Sequence, residues 1–294
     1  ALNQARLLLF NEEKTDWAIP VLFMRLTTGR LLNFSKTTAA TPRLPFEPET
    51  VHIPEGPFTM GAPIDRETPP EETPPHEVNL PAFRIGRYPI TNNEYSVFIR
   101  QNKDQDPPRK TGWFLREPPE DKLDHPVIGV SWHDARAYCR WLSAETGRAY
   151  RLPTEAEWEK AARWDEKKKK ANTWPWGDVW DPEKCNNPLD HNPAGGGFKV
   201  NQSAPVGSYP DGASPYGCMD MVGNAYEWVA DWAKSYPGSP EPFDHTNAYH
   251  FVKGGCWDDG WGAVRCAFRG WYLPPNSGGT GPGDSDYIGF RVAK

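Results

Sequence analysis

The chain has 294 residues, of which 33 are Lys or Arg and 39 are Asp or Glu, and its formal net charge is −6. This balance supplies no basic field that would attract nucleic acid or an anionic membrane surface, and no apolar run reaches the roughly 20 residues that span a bilayer. The fourteen tryptophans indicate a folded protein. The five cysteines form no CxxC pair and the first residues carry no signal-peptide pattern, so we expect free thiols and a cytoplasmic location.

Residues 1–35 are predicted to form a small helix–strand unit, with a buried strand at residues 17–24, where apolar, β-branched and aromatic residues run together. This strand and the Gly-Arg-Leu turn at residues 29–31 resemble the C-terminal end of caspase-like peptidase domains of the CHAT type. The resemblance implies an upstream protease-like domain, but residues 1–35 contain no His or Cys that could catalyse proteolysis. A simple helix–strand appendage is the alternative.

Residues 36–49 are rich in Thr and Pro and are predicted to be a linker, so that the main domain comprises residues 50–294. Residues 51–60 are predicted to form a hairpin, and residues 76–90 two more short strands. Three helices are predicted where a Ser or Thr is followed three residues later by an acidic residue, before an apolar stripe. These pairs are Thr91 and Glu94, Ser131 and Asp134, and Thr154 and Glu157.

The start of the third predicted helix is rich in acidic residues, which raises the question of acid–base chemistry. Glu155, Glu157 and Glu159 follow its predicted N-cap. Glu157 occupies the capping-box position, so we interpret it as a cap, and we interpret Glu159 as an exposed side chain. The charged run at residues 166–170 is interpreted as the solvated end of the same helix.

Nine motifs between residues 58 and 292, among them Met-Val-Gly-Asn-Ala-Tyr-Glu-Trp at 221–228, resemble the formylglycine-generating enzyme (FGE)-sulfatase family in content and order. They comprise residues 58–61, 76–78, 88–92, 130–135, 151–159, 221–228, 253–255, 265–269 and 288–292. The resemblance implies an α+β fold of the C-type lectin-like kind. In that fold, two or three helices surround small twisted antiparallel sheets with much irregular loop.

The resemblance implies several roles on one fold: copper-dependent oxidation of a sulfatase cysteine to formylglycine, accessory domains in thiol-histidine biosynthesis, and non-catalytic binding modules. The oxidases need two cysteines, which bind copper(I) and exchange with the substrate thiol. Counting from Gly254 and Gly255 and from Cys266 places those cysteines at Asp259 and Trp261. Neither side chain supplies a thiolate, so the sequence argues against copper and against an oxidase.

Cys256 and Cys266 are the alternative thiol pair for a copper-dependent oxidase. They lie at positions that the family uses structurally, and we interpret them as small buried apolar side chains. The histidines show no His-x3-His spacing, so a three-histidine iron site is not predicted.

Calcium is the cofactor that the resemblance implies. Members of the family bind a structural calcium ion around the Val-Gly-Asn-Ala motif, which is residues 222–225 here. The corresponding groups are the side chains of Asp220 and Glu227 and the carbonyls of Gly223 and Ala225. Such hard oxygen donors suit calcium. The alternative is that both carboxylates make hydrogen bonds within the loop without a metal.

The segment between residues 251–257 and 288–293, whose ends are expected to be paired strands, mixes large aromatics with Gly, Pro, Asn, Ser and Asp. This composition suits a surface that recognises a protein or small-molecule ligand. The candidate binding residues are Trp257, Asp258, Asp259, Trp261, Phe268, Trp271, Tyr272, Asn276, Asp286 and Tyr287. A further hypothesis is that a retroelement diversifies this surface, as in the variable proteins that share the fold.

Overall fold

The structure is a computed structural model and describes residues 43–64, 68–108, 111–188, 202–272 and 286–294. The chain divides into two compact units, Ala1–Arg43 and Leu44–Lys294. The predicted unit at residues 1–35, with its resemblance to a caspase-like tail, lies outside the described residues. The candidate binding residue Asn276 lies outside them as well.

Short strands form four sheets within the described residues. Three sheets are antiparallel pairs: β1 (Thr50–Ile53) with β4 (Phe83–Gly86), β2 (Gly56–Met60) with β3 (His76–Leu80), and β5 (Trp164–Asp165) with β6 (Lys170–Ala171). The fourth contains β7 (Tyr226–Trp232), β8 (His250–Lys253), β9 (Gly270–Tyr272) and β10 (Ile288–Phe290) in the order β10–β7–β8–β9. The last strand runs parallel to its neighbour β7, so this sheet is mixed rather than purely antiparallel.

Three α-helices occur in the described part of the chain: α1 (Asn92–Gln101), α2 (Trp132–Thr146) and α3 (Glu155–Arg163). Each begins with the predicted capping box, because the Ser or Thr side chain accepts from the backbone N–H of the acidic residue and that residue accepts in return from the cap. The longest has 15 residues, and none of the described helices has the length and apolar character to cross a membrane.

The core consists largely of aromatic rings that helices and sheet contribute together. Tyr95 of α1 stacks on Tyr138 of α2 at 5.6 Å between ring centroids, and both rings meet Phe290 of β10 edge-on. A second cluster surrounds the fully buried Trp158 of α3 and extends to Val229 of β7. These two clusters fix the helices against the largest sheet, from which the candidate binding segment departs.

The predicted hairpin at residues 51–60 is wrong, although both of its strands exist. β1 and β2 join different sheets, because their buried side chains enter different clusters. Ile53 packs with Ile85 of β4, whereas Phe58 and Met60 pack with Trp164. The expected pairing of the strands that enclose the C-terminal segment is also wrong, since β7 lies between β8 and β10.

Two interpretations of α3 require correction. The helix ends at Arg163, and the charged run lies in the turn between β5 and β6, where residues 167–170 are exposed. Glu159 is fully buried rather than exposed. Its carboxylate accepts from Lys253 Nζ at 3.1 Å, from Arg163 Nη1 at 3.1 Å and from the Gly61 N–H at 2.8 Å. Two cations and a backbone donor therefore replace the water that this carboxylate loses on folding.

The end of the predicted linker belongs to the folded domain. The compact unit begins at Leu44, and Glu47 is buried in it. The Glu47 carboxylate accepts from the Tyr150 hydroxyl at 2.5 Å, from Arg148 at 2.7 Å and from Lys294 at 3.4 Å. These contacts attach the start of the domain to its C-terminal residue.

Candidate binding site

The candidate segment leaves the largest sheet through two glycines at the end of β8. Gly254 and Gly255 adopt the left-handed region, with φ of +91° and +71°. A Cβ on Gly254 would lie 2.8 Å from the carbonyl oxygen of Met221, closer than real Cβ contacts. Glycine is therefore required where the segment passes the 221–228 motif.

Asp259, one of the two positions that the family resemblance assigns to a catalytic thiol, has a structural role in a turn. Its Oδ2 accepts from the Cys256 N–H at 2.8 Å, and its own N–H donates to the Cys256 carbonyl at 3.2 Å. The neighbouring Asp258 is exposed. The turn thus presents one carboxylate to solvent and uses the other to hold its shape.

Two of the candidate aromatic residues support the scaffold. Trp257 is buried, and its ring centroid lies 5.0 Å from that of Tyr287. Phe268 is half-buried and lies 5.9 Å from Tyr226 of β7. Asp286 and Tyr287, which immediately precede β10, are half-buried.

Trp261 differs from these residues because 46% of its surface is exposed, so its indole is available for contact with a ligand. It borders an open cavity of about 490 Å³, which lies in the size range of ligand pockets. The lining residues are Ala62, Pro63, Thr68, Pro69, Arg163, Thr173, Trp174, Trp261, Gly262, Arg265 and Ala267.

The polar wall of this Trp261 cavity is rigid. Arg265 donates to both carboxylate oxygens of Glu72, at 2.8 and 2.9 Å, and Glu72 is buried. The Trp174 indole N–H donates to the Val264 carbonyl at 2.7 Å. A bidentate ion pair and a buried indole hydrogen bond therefore hold the cavity open around Trp261.

Among the candidate binding residues whose side chains the structure describes, only Trp261 lines this cavity. Trp271 and Tyr272 lie in β9. The other lining residues, among them Trp174 and Arg265, were missed by sequence reasoning. The lining extends from residue 62 to residue 267. No local spacing in the sequence links positions so far apart.

The two cysteines near the site are inaccessible. Cys256 and Cys266 are both buried free thiols. Burial, with a smaller contribution from Asp259, raises the pKa of Cys256, and burial raises the pKa of Cys266 to about 12. Both groups are therefore thiols at neutral pH, whereas copper(I) binding and disulfide exchange require thiolates.

The model of the sulfatase-modifying factor enzyme 1-like domain, FGE-sulfatase, matches residues 35–294. The chain belongs to this family. The match covers every described helix and strand. It begins at the last residue of the predicted unit 1–35 and includes the whole predicted linker, residues 36–49.

Curated relatives in the FGE-sulfatase family include both enzymes and a protein named as inactive. Hercynine oxygenase of Mycolicibacterium smegmatis is 34% identical over an alignment of 264 positions, which covers 76% of this chain and 58% of that protein. The inactive Cα-formylglycine-generating enzyme 2 of Mus musculus is 31% identical, covering 84% of this chain and 86% of that protein. The chain spans about half the length of the hercynine oxygenases it matches.

Solved FGE-sulfatase-like structures agree with the fold. PvdO from Pseudomonas aeruginosa superposes with a TM-score of 0.66 at 29% identity, covering 85% of this chain and 95% of that chain. Treponema denticola variable protein 1 superposes with a TM-score of 0.61 at 19% identity, covering 83% and 94%. At that identity, the second likeness shows the fold alone.

The calcium site that the FGE-sulfatase family implies does not fit the side chains present. Both oxygens of Glu227 accept from Arg291, each at 2.6 Å, and one accepts also from the Trp158 indole at 2.8 Å. Asp220 accepts from the Gly207 N–H at 2.7 Å, and burial raises the pKa of Asp220 to about 6. Arg291 thus supplies the positive charge that a calcium ion would bring to Glu227.

Proposed function

We propose that this FGE-sulfatase domain is a binding module that holds a protein or small-molecule ligand over Trp261. One observation supports this proposal above the others. The family resemblance places the thiolates of an oxidase at Asp259 and Trp261, but Asp259 forms a turn and Trp261 borders a cavity. An indole with nearly half its surface exposed supplies apolar contact area without nucleophilic chemistry.

The surroundings of Trp261 favour recognition. The Arg265–Glu72 pair fixes one wall before any ligand arrives, so little ordering accompanies binding. Pro63 and Pro69 also line the cavity, and proline restricts the backbone there. A relative of this chain is named as an inactive member of the family, which supports a role without oxidation.

The first test selects peptides from a displayed random library on the full chain and measures their affinity for the Trp261→Ala variant. Removing a central aromatic anchor should weaken the selected peptides by roughly tenfold or more. The matched control is Phe114→Ala, which removes another exposed aromatic side chain, 75% exposed, and should leave the affinities unchanged. Peptides that bind Trp261→Ala as tightly as the wild type would place the binding surface elsewhere.

A second arm tests oxidation directly. The chain is loaded with copper(I) and incubated with a Cys-x-Pro-x-Arg peptide, and the product is examined by mass spectrometry for the aldehyde. We expect no aldehyde, because neither Cys256 nor Cys266 presents a thiolate to solvent. Aldehyde that disappears in the Cys256→Ala variant would replace the binding proposal with an oxidase.

We also propose that the Trp261 surface is a candidate for diversification by a retroelement. The exposed Asp258 and the half-buried Gly260 lie on the same turn, where substitutions leave the core untouched. The test is the genomic DNA: a near-repeat of the last coding bases beside a reverse transcriptase gene supports the idea. Isolates of the source that share one invariant C-terminal sequence would overturn it.

A further inference from the structure

A second cavity, of about 480 Å³, opens between α2 and the residues that precede α3. It shares no lining residue with the Trp261 cavity. Its lining residues are Trp132, Arg136, Cys139, Arg140, Tyr150, Arg151, Leu152, Thr154 and Ala230. Three of the nine are arginines, in a chain whose net charge is −6.

The arginines carry a local excess of positive charge. Arg151 donates to both oxygens of Glu157, each at 2.6 Å. Arg136 and Arg140 make no ion pair with a described carboxylate. They lie one helical turn apart on α2, where like charges at this spacing repel each other. Both side chains are exposed, so the helix carries two solvated guanidinium groups side by side at the cavity.

The three arginines line one cavity together with Cys139. Burial raises the pKa of the Cys139 thiol to about 12, and Arg136, Arg140 and Arg151 each oppose that rise. Arg136 and Arg140 therefore border the cavity as free positive charges, whereas Glu157 balances the charge of Arg151. An anion there would meet the fork-shaped donors of Arg136 and Arg140, which match the oxygens of a carboxylate or a phosphate.

The rest of the lining is apolar and fixed. The Arg136 guanidinium lies 4.6 Å from the ring of Trp132, in a cation–π contact. The Trp132 indole N–H donates to the Val229 carbonyl at 2.9 Å, and its ring stacks on His250 at 3.8 Å. Leu152 and Ala230 add aliphatic surface. A rigid aromatic wall beside a cationic rim suits a flat apolar body that ends in an oxyanion.

We propose that the cavity lined by Arg136, Arg140 and Arg151 binds a small organic anion, a carboxylate or phosphate carried on a flat apolar body. The guanidinium groups of Arg136 and Arg140 hold the oxyanion, and the body packs against Trp132 and Leu152. This site is independent of the Trp261 surface, so either can fail without the other.

Isothermal titration of the full chain with phenyl phosphate, benzoate, inorganic phosphate and benzyl alcohol tests the proposal. We expect one or both aromatic anions to bind, roughly tenfold or more tighter than inorganic phosphate, because the ring adds buried apolar surface. Tighter binding of phenyl phosphate assigns a phosphate ligand, and tighter binding of benzoate assigns a carboxylate. No heat from either aromatic anion up to roughly 10 mM would overturn the proposal.

Substitutions distinguish a specific anion site in this cavity from non-specific electrostatic attraction to the protein surface. Arg136→Gln and Arg140→Gln should each weaken the aromatic anion by roughly tenfold, since each removes charge-assisted hydrogen bonds. Arg140→Lys should fall between wild type and Arg140→Gln, because it keeps the charge and loses the fork. Arg100→Gln, an exposed arginine of α1 outside the lining, changes net charge equally and should leave affinity within about twofold. Equal weakening by Arg100→Gln, or benzyl alcohol binding as tightly as the anions, would overturn it.

Discussion

Glu155, Glu159 and Glu227 are buried carboxylates whose partners are distant in sequence. Glu155 pairs with Arg269, Glu159 with Lys253 and Glu227 with Arg291, at separations of 114, 94 and 64 residues. From the sequence, Glu159 was predicted to be exposed, because that prediction used only the position of Glu159 on its own helix. Its burial depends on a lysine that β8 brings beneath α3, and no local spacing contains that information.

The ion pair between Glu227 and Arg291 allows a prediction about stability. Arg291→Met should lower the free energy of unfolding by about 3–5 kcal/mol, because it leaves a buried carboxylate without its cation. The measurement is urea denaturation at neutral pH. Arg100→Met, which breaks an exposed pair on α1, serves as the control and should cost no more than about 1 kcal/mol.

A double variant separates lost charge from lost packing. Glu227→Gln combined with Arg291→Met removes both charges and should recover part of the stability that the single substitution loses. If the double variant is less stable than Arg291→Met alone, the hydrogen bonds of Glu227 to other groups, such as the Trp158 indole, outweigh the unpaired charge.

The pKa of Asp231 allows a prediction about how the stability of the protein depends on pH. Burial, together with the nearby Glu155, raises the pKa of Asp231 from 3.8 to about 6. The folded chain therefore holds this proton more tightly than the unfolded chain, and stability falls as pH rises from about 4 to about 6. Asp231→Asn cannot titrate, and its amide oxygen can still accept from the Glu155 N–H.

The Asn variant should therefore be more stable than the wild type at pH 8, by about 1–2 kcal/mol, and the difference should vanish near pH 4. Denaturation of both proteins across this pH range measures it. His250, whose pKa burial lowers to about 4, titrates in both proteins and cancels in the comparison. A difference that stays constant with pH would contradict the assignment to Asp231.

At the scale of elements, local chemistry decided which predictions were correct. Each of the three capping boxes spans only four consecutive residues. All three helices begin where they were predicted. The pairing of β1 and β2 was not predictable in this way. Each strand alternates correctly, but the choice of partner depends on which cluster receives Ile53 and which receives Phe58. Pairing is a tertiary property that periodicity does not encode.

The capping box of α2 can be tested by substitution. Ser131→Ala removes the side-chain acceptor of the Asp134 N–H and the hydrogen bond that the Ser131 hydroxyl donates to Asp134, and should lower the free energy of unfolding by about 1 kcal/mol. Glu145→Ala, an exposed position near the end of the same helix, is the control and should change stability by less than about 0.5 kcal/mol. Equal effects of the two substitutions would contradict a role for the cap.

At the scale of the molecule, the C-terminal residues join parts of the domain that are far apart in sequence. Ala293 bridges both Ile85 of β4 and Arg151 before α3. Lys294 and Arg84 exchange backbone hydrogen bonds at 2.8 Å, and the Val292 carbonyl accepts from the Gly86 N–H at 2.7 Å. The family resemblance identified residues 288–292 as a motif near the end of the domain. It did not predict that the residues after β10 pair with β4, which is seen only in the structure.

These contacts lead to opposite predictions for two truncations. A fragment of residues 44–294 keeps the whole second compact unit, including Glu47 with its partners, and should unfold cooperatively with a Tm within about 3 °C of the full chain. Removing residues 291–294 instead deletes Arg291 and the Ala293 bridges, and leaves Glu227 buried without a cation. We expect that fragment to show no cooperative transition in calorimetry. A cooperative transition in the fragment without residues 291–294 would mean that the contacts of the C-terminal residues contribute little to stability. Loss of cooperativity in the fragment of residues 44–294 would mean that the N-terminal unit is needed for the fold.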